Sequence, residues 1–200
     1  MECEIENDIQ LVKKYIGSKD RLLHCISTAE NMARYSSLFN IDYNTAYFCG
    51  LYHDLAKELS PQEMLELTES FIKRDIVSIA YLDFKRTTPT LLHGVASAEL
   101  LIREYGNVPK DRLVAICAHT LGGQKLSRLA KYMFMFDFCE PRRRYKEAHK
   151  VFNILIKEKD FDKAYLATYI YQIEDLLDKK KNICPESIEG YNEAIAYARG

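Results

Sequence analysis

The sequence predicts an all-α protein, a helical bundle in one domain with additional helices towards its C-terminal end. Three observations predict it. Apolar residues recur at three- and four-residue spacing along nearly the whole chain. Short loops bearing Ser, Asp, Pro and Gly, the residues that start and stop helices, separate these stretches. The alternating apolar and polar runs that mark strands are hard to find.

Ile5, Ile9, Leu11, Val12 and Ile16 form the inner side of a first helix that Gly17 ends. Ser18 opens a second, running to about Phe39, with Leu22, Cys25, Ile26, Ala29, Met32 and Ala33 inward and His24 riding on it. Asp42 or Asn44 caps a third, whose last two turns hold His53 and Asp54. Ser60-Pro61-Gln62-Glu63 is a capping box with proline at the first helical position. Residues 64–84 are amphipathic but less regular, and Arg86-Thr87-Thr88-Pro89 interrupts them. The pattern resumes from Leu91 to Leu100, which puts His93 at a helix start, and Gly106 closes it. Pro109 or Asp111 begins the next helix, which ends at Ala118-His119-Thr120-Leu121-Gly122-Gly123. A further helix from about Ser127 carries Asp137 and stops at Pro141. Two or three more follow Arg142, one of them with a Tyr165, Tyr169, Ile173, Leu177 stripe that core packing explains.

Two hundred residues suit one domain, 1–200, with a sizeable core, and no repeat, linker or low-complexity tract divides it. With 48% hydrophobic and 28% charged residues and a net charge of -1, the chain carries no global field for nucleic acid or a membrane surface. The acidic start, Met1 to Glu6, lacks the apolar core of a signal peptide, and no run approaches the ~18 apolar residues of a span. A cytoplasmic location is expected. The six cysteines form no C-x-x-C pair, so free thiols are expected rather than a zinc ribbon or disulfides. Cys49 shares a helix face with His53, but reads as a small buried hydrophobe.

Candidate chemistry centres on the doublet His53-Asp54. Neighbouring helical residues point about 100° apart, so the two can approach one metal ion from two sides, leaving the carboxylate a second oxygen for another. Four of the five histidines, His24, His53, His93 and His119, stand in apolar, helix-like surroundings. Asp137 lies inside the run Tyr132-Met133-Phe134-Met135-Phe136-Asp137-Phe138, where an ionised group needs a partner. His149, among Lys146, Glu147 and Lys150, belongs to an exposed face. Imidazoles mixed with carboxylates suit iron, manganese, cobalt or zinc better than magnesium, which favours an all-oxygen shell. A metal pair can lower the pKa of a water towards neutrality, and polyphosphate cleavage then needs positive charge around the phosphoryl oxygens. Lys57, one turn after His53, and Arg143, just past the Asp137 helix, are placed to supply it; a solvated surface cation is an equally open reading of each.

Five segments together, Arg21-x-x-His24, Gly50-Leu51-x-His53-Asp54-x-Ala56-Lys57-Glu58, Leu91-Leu92-His93-Gly94, His119-Thr120-x-Gly122 and Asp137-x-x-Glu140-Pro141, resemble HD-domain phosphohydrolases. More narrowly they resemble the symmetrical bis(5'-nucleosyl)-tetraphosphatase family, the YqeK-type proteins. The match runs from about residue 18 to 145, leaving about 146–200 as a C-terminal helical extension. Leu126, Ala130 and Phe136 stand where the family tends to have Met, Asp and Ala. The resemblance implies hydrolysis of diadenosine tetraphosphate to two ADP at two divalent transition-metal ions, iron foremost, with manganese or cobalt as alternatives. It implies that His24, His53, Asp54 and Asp137 hold one ion and Asp54, His93 and His119 the other, with Asp54, Lys57 and Arg143 in the catalytic roles. It allows a homodimer and gives no place to nucleic acid or membrane. The alternatives are an HD phosphohydrolase acting on a nucleoside monophosphate, a deoxynucleoside triphosphate or a guanosine polyphosphate, a nucleotide- and metal-binding sensor without turnover, and a helical interaction module.

Overall fold

The computed structural model describes residues 2–76 and 88–198, for 2–7 and 198 the backbone alone, and among them the chain forms ten α-helices and no strand. They are α1 (Glu2–Tyr15), α2 (Lys19–Tyr35), α3 (Tyr43–Tyr52), α4 (Pro61–Lys73), α5 (His93–Tyr105), α6 (Lys110–Ala118), α7 (Arg128–Cys139), α8 (Lys146–Phe152), α9 (Phe161–Asp178) and α10 (Pro185–Ala198). Local chemistry sets most of the boundaries. The side chains of Ser18, Asp42, Ser60, Ser127 and Asp160 each accept the backbone N–H three residues on, and Ser60 and Glu63 close a reciprocal capping box.

The second helix is shorter than its periodicity predicts. It tightens after Tyr35 into a 3-10 turn, Ser36–Phe39, closed by Asn40 at φ 55°, a left-handed position that Asn tolerates. The expected amphipathic stretch past residue 76, with Arg86 and Thr87, lies outside the described residues. After Phe152 the helical path widens into a π-helical turn, Asn153–Glu158.

The core is one contiguous apolar cluster, and α3 runs through it with α2, α6 and α7 around it. Two glycines let helices meet closely. A Cβ on Gly50 of α3 would stand 2.6 Å from Ala29 Cα of α2, and one on Gly94 of α5 would stand 2.8 Å from the Ile116 carbonyl oxygen of α6. Each contact sits beside a pair of the histidines singled out above: His24 with His53, and His93 with His119.

The two last helices brace the loop after His119. Tyr169 Oη accepts the Gly123 N–H at 2.8 Å, Ser187 Oγ donates to the Leu121 carbonyl at 2.9 Å, and Glu193 accepts the Lys125 N–H at 2.6 Å. The tyrosine stripe of α9 is core only over its first half. Tyr165 and Tyr169 are buried against Phe134, whereas Ile173 is half-buried and Leu177 is 61% exposed. Cys49 is buried, its pKa raised by burial, which keeps it a thiol; Cys25, Cys139 and Cys184 are likewise outside any disulfide. Among the described residues no helix is long and apolar enough to cross a membrane.

Candidate metal centre

Helix ends bring most of the cluster together, with His24 added from within α2. His24 projects from α2, His53 caps the C-terminus of α3, His93 opens α5, His119 caps α6, and Asp137 sits in the last turn of α7. The doublet differs here from its sequence reading, because α3 stops at Tyr52 and His53-Asp54 lie just beyond it. The physical cause is the imidazole itself. His53 Nδ1 donates to the Gly50 carbonyl at 2.8 Å, the acceptor that the Asp54 N–H would use in a continuing helix. The chain then proceeds in three-residue turns, Leu55 N–H to Tyr52 and Lys57 N–H to Asp54, and Ser97 Oγ of α5 accepts the Ala56 N–H at 2.9 Å.

The same device recurs. His93 Nδ1 lies 2.7 Å from the Thr90 carbonyl and His119 Nδ1 lies 2.7 Å from the Ile116 carbonyl, each three residues earlier. His24 Nδ1 faces Glu140 Oε1 at 3.3 Å, and Glu140 in turn accepts from Ser27 Oγ at 2.7 Å. With Nδ1 committed as donor, a neutral imidazole presents a bare lone pair at Nε2. All four Nε2 atoms turn inward. His24 and His53 stand 3.2 Å apart, His93 and His119 2.9 Å apart.

Two carboxylates meet those lone pairs. Asp137 Oδ1 lies 3.0 Å from His24 Nε2 and 3.5 Å from His53 Nε2. Asp54 Oδ1 lies 3.1 Å from His93 Nε2 and 3.5 Å from His119 Nε2, while Oδ2 is 3.6 Å from His53 Nε2. Asp54 is almost wholly buried, and its Oδ1 is a buried oxygen without a hydrogen-bond donor. Acceptors crowding acceptors is repulsive unless a cation lies between them. An ion about 2.0–2.2 Å from each donor needs the donors themselves about 3.0–3.5 Å apart, close to the spacing seen here. Two sets, His24, His53 and Asp137, and His53, Asp54 and His119, could each hold a metal ion, and His93 lies against the second.

Charge is arranged to suit a cation. Burial raises the Asp54 pKa, but His53, His119 and His93 outweigh it and hold the carboxyl well below the usual carboxylate range. Burial acts the same way on Asp137, and is outweighed there by His24, His53 and Arg143. Burial lowers the pKa values of His93 and His119, which keeps both rings neutral and their lone pairs available. His24 differs: burial lowers its pKa, but bonds to Asp137 and Glu140 more than compensate, so a proton competes for this ring.

Cations ring the cluster. Lys57 Nζ donates to His93 Nε2 at 2.9 Å and stands 3.9 Å from Asp54 Oδ1. Arg143 reaches Asp137 Oδ1 at 2.8 Å and the Asp137 carbonyl at 2.8 Å, whereas Arg142 and Arg144 are exposed. His149 is exposed on α8, away from the cluster. The structure adds Arg21, whose Nη1 donates to Asp54 Oδ2 at 2.6 Å, together with Glu140, Ser27, Ser97 and Thr120. Arg21 carried a legible signal, standing three residues before His24 on one helix face. Ser27 and Ser97 carried none, since a serine in a helix is ordinarily unremarked.

Comparison with known proteins follows this geometry. The HD domain family model matches residues 21–158. The chain is 30% identical to the Halalkalibacterium halodurans protein named bis(5'-nucleosyl)-tetraphosphatase, symmetrical, over 94% of this chain and 95% of that one. It is 26% identical to the Bacillus subtilis protein of the same name, over 96% and 97% of the two chains. Among solved structures, a Clostridium acetobutylicum protein described as a predicted HD superfamily hydrolase involved in NAD metabolism superposes with a TM-score of 0.83 at 26% identity, covering 96% of this chain and 97% of that one. The chain therefore belongs to the HD-domain family and, within it, to the symmetrical bis(5'-nucleosyl)-tetraphosphatases.

Proposed function

We infer that this protein is a metal-dependent phosphohydrolase that cleaves diadenosine tetraphosphate symmetrically into two ADP. One observation carries the reading: four imidazole lone pairs and two carboxylates converge on a common centre, leaving a buried carboxylate oxygen for which the protein supplies no donor. His24, His53, Asp54 and Asp137 would hold one ion, and Asp54, His93 and His119 the other. A pair of divalent ions bound there, iron foremost with manganese or cobalt as alternatives, supplies Lewis acidity and brings the pKa of water towards neutrality.

The chain's own residues do the rest. The backbone carbonyls behind Nδ1 of His53, His93 and His119 fix each ring's tautomer and direction, so no reorientation is needed when substrate arrives. Lys57 and Arg143 rest against the cluster's own imidazole and carboxylate, and turn to phosphoryl oxygens when substrate enters. Burial lowers the Lys57 pKa, and Asp54 and Asp137 only partly restore it, so this ammonium is held less strongly by water than a surface lysine. Attack at the second phosphorus from one adenosine makes ADP the leaving group, and the cations Lys57 and Arg143 offset the charge that develops on it.

Hydrolysis of diadenosine tetraphosphate in oxygen-18 water tests the reading. ADP alone is expected, labelled in the terminal phosphate of half the product molecules. Equal amounts of ATP and AMP would refute the symmetrical cleavage, and absence of turnover would refute the substrate. Elemental analysis of the protein as purified tests the iron assignment separately.

A further inference from the structure

We propose that Tyr169 of α9 is a positioning residue for the His93 and His119 side of the metal centre, an inference that rests on the two-ion reading above. Its hydroxyl sits in a notch between two glycines. A Cβ on Gly122, in the loop after His119, or on Gly190 of α10 would overlap Tyr169 Oη, so glycine at both positions lets the phenol reach that loop. There it accepts the Gly123 N–H at 2.8 Å, while Tyr165 Oη, 3.0 Å away, donates to the Gly123 carbonyl at 3.3 Å. Gly123 is buried and outside any helix, so the two phenols satisfy backbone groups that would otherwise lack partners.

The path from this hold to the centre is short. The Gly122 N–H donates to the Ala118 carbonyl at 2.8 Å, which closes a turn containing His119 and Thr120. Ser187 Oγ of α10 donates to the Leu121 carbonyl in the same turn. Thr120 Oγ1 stands 3.0 Å from Nε2 of both His93 and His119. A shift of Gly123 therefore moves the Thr120 hydroxyl and the His119 ring together, because the turn that joins them is closed.

The other side of the centre is held by different elements. His24 faces Glu140 at the end of α7, His53 donates to the Gly50 carbonyl within α3, and Asp137 receives Arg143 from just past α7. Ligand direction sets metal affinity through such outer partners. Loss of the Tyr169 hydroxyl thus loosens the ion held by His93 and His119 and spares the ion held by His24, His53 and Asp137.

Tyr169→Phe, which removes the hydroxyl and keeps the ring, tests this in the full chain freed of metal by chelator. Calorimetric titration with Mn2+ is expected to show two ions in the wild type and, in the variant, one held as before and one bound about tenfold more weakly, the loss of one hydrogen bond. Before metal is added, the imidazole NMR signals of His93 and His119 should shift while those of His24 and His53 stay. Tyr132→Phe, which loses an equally buried phenol bonded to the Met32 carbonyl at 2.9 Å, should lower stability without either effect. Ser187→Ala, which leaves the Leu121 carbonyl without its donor, should weaken the same ion and carries the test if Tyr169→Phe does not fold. Equal weakening of both ions, or lowered stability with both ions and all four rings unchanged, overturns the positioning role. A wild type that takes up fewer than two ions would overturn the two-ion reading, and the histidine signals would still decide whether Tyr169 positions His119.

Discussion

Asp54 and Glu99 are carboxylates of nearly equal burial, 2% and 0% exposed, in opposite surroundings. Glu99 of α5 receives Arg74 Nε and Nη2 at 2.7 and 2.9 Å, Ser70 Oγ at 2.8 Å and Arg103 Nε at 3.0 Å. Asp54 receives Arg21 on one oxygen and keeps the other, which has no hydrogen-bond partner, among imidazole nitrogens. The protein satisfies the first group by itself and leaves the second half-finished. Burial of a charge is therefore no mark of function here; an unfilled coordination half is.

The sharpest way to break this contrast is to neutralise each carboxylate without changing its shape. Asp54→Asn should lose bound metal by elemental analysis and lose hydrolysis altogether. Glu99→Gln should retain both. Full metal content in Asp54→Asn would erase the distinction.

Next in size come the cations around the open site. Lys57→Ala and Arg143→Ala should each slow turnover about ten- to a hundredfold, the equivalent of about 1.5–3 kcal/mol for a charge-assisted bond to phosphate. Metal content should stay at the wild-type level. Wild-type kinetics in both variants would make them surface charges.

The closed cluster should show itself in stability. Glu99→Gln is expected to lower unfolding free energy by about 1–3 kcal/mol in denaturant titration, because the arginines keep only a neutral acceptor. Gly50→Ala belongs to the same scale, about 1–3 kcal/mol, since its Cβ would meet Ala29 backbone atoms. It should also weaken metal binding by parting His24 from His53, which Glu99→Gln should not do.

The smallest expected effect is a pH dependence. Burial raises the Glu99 pKa, but bonds from Arg74, Ser70 and Arg103 outweigh it and hold the group below its ordinary 4.5. A depressed folded-state pKa contributes stability that is complete above the unfolded value and lost as pH falls through the folded one. Wild-type unfolding free energy should therefore fall as pH drops below 4.5, and Glu99→Gln should lose less over the same window.

Much of this was legible in the sequence. The caps at Ser18, Asp42, Ser60 and Ser127 act through side chains three residues from their partners, so they can be read locally. The residue types of the cluster, and the anomaly of Asp137 in an aromatic run, were equally plain. The exit of His53-Asp54 from α3 was not, because it depends on a side chain taking a backbone acceptor, and helical periodicity does not register that. The roles of Ser97 and Glu140 depend on contacts 41 and 113 or more residues away, beyond any local pattern. The α9 stripe misled at its far end because spacing reports which residues share a face, not whether another helix covers them.

The bracing of the loop after His119 has a consequence for how the chain acquires its site. His24 and His53 are 29 residues apart and can be paired by the α2–α3 hairpin alone, early in synthesis. The loop's anchors, by contrast, lie 46, 66 and 68 residues further along, at Tyr169, Ser187 and Glu193. Leu121, Gly123 and Lys125 gain these anchors only by closing long spans of chain, at a cost in loop-closure entropy. The His24–His53 pair thus rests on a short-range hairpin, while the loop beside His119 draws its anchors from helices far along the chain.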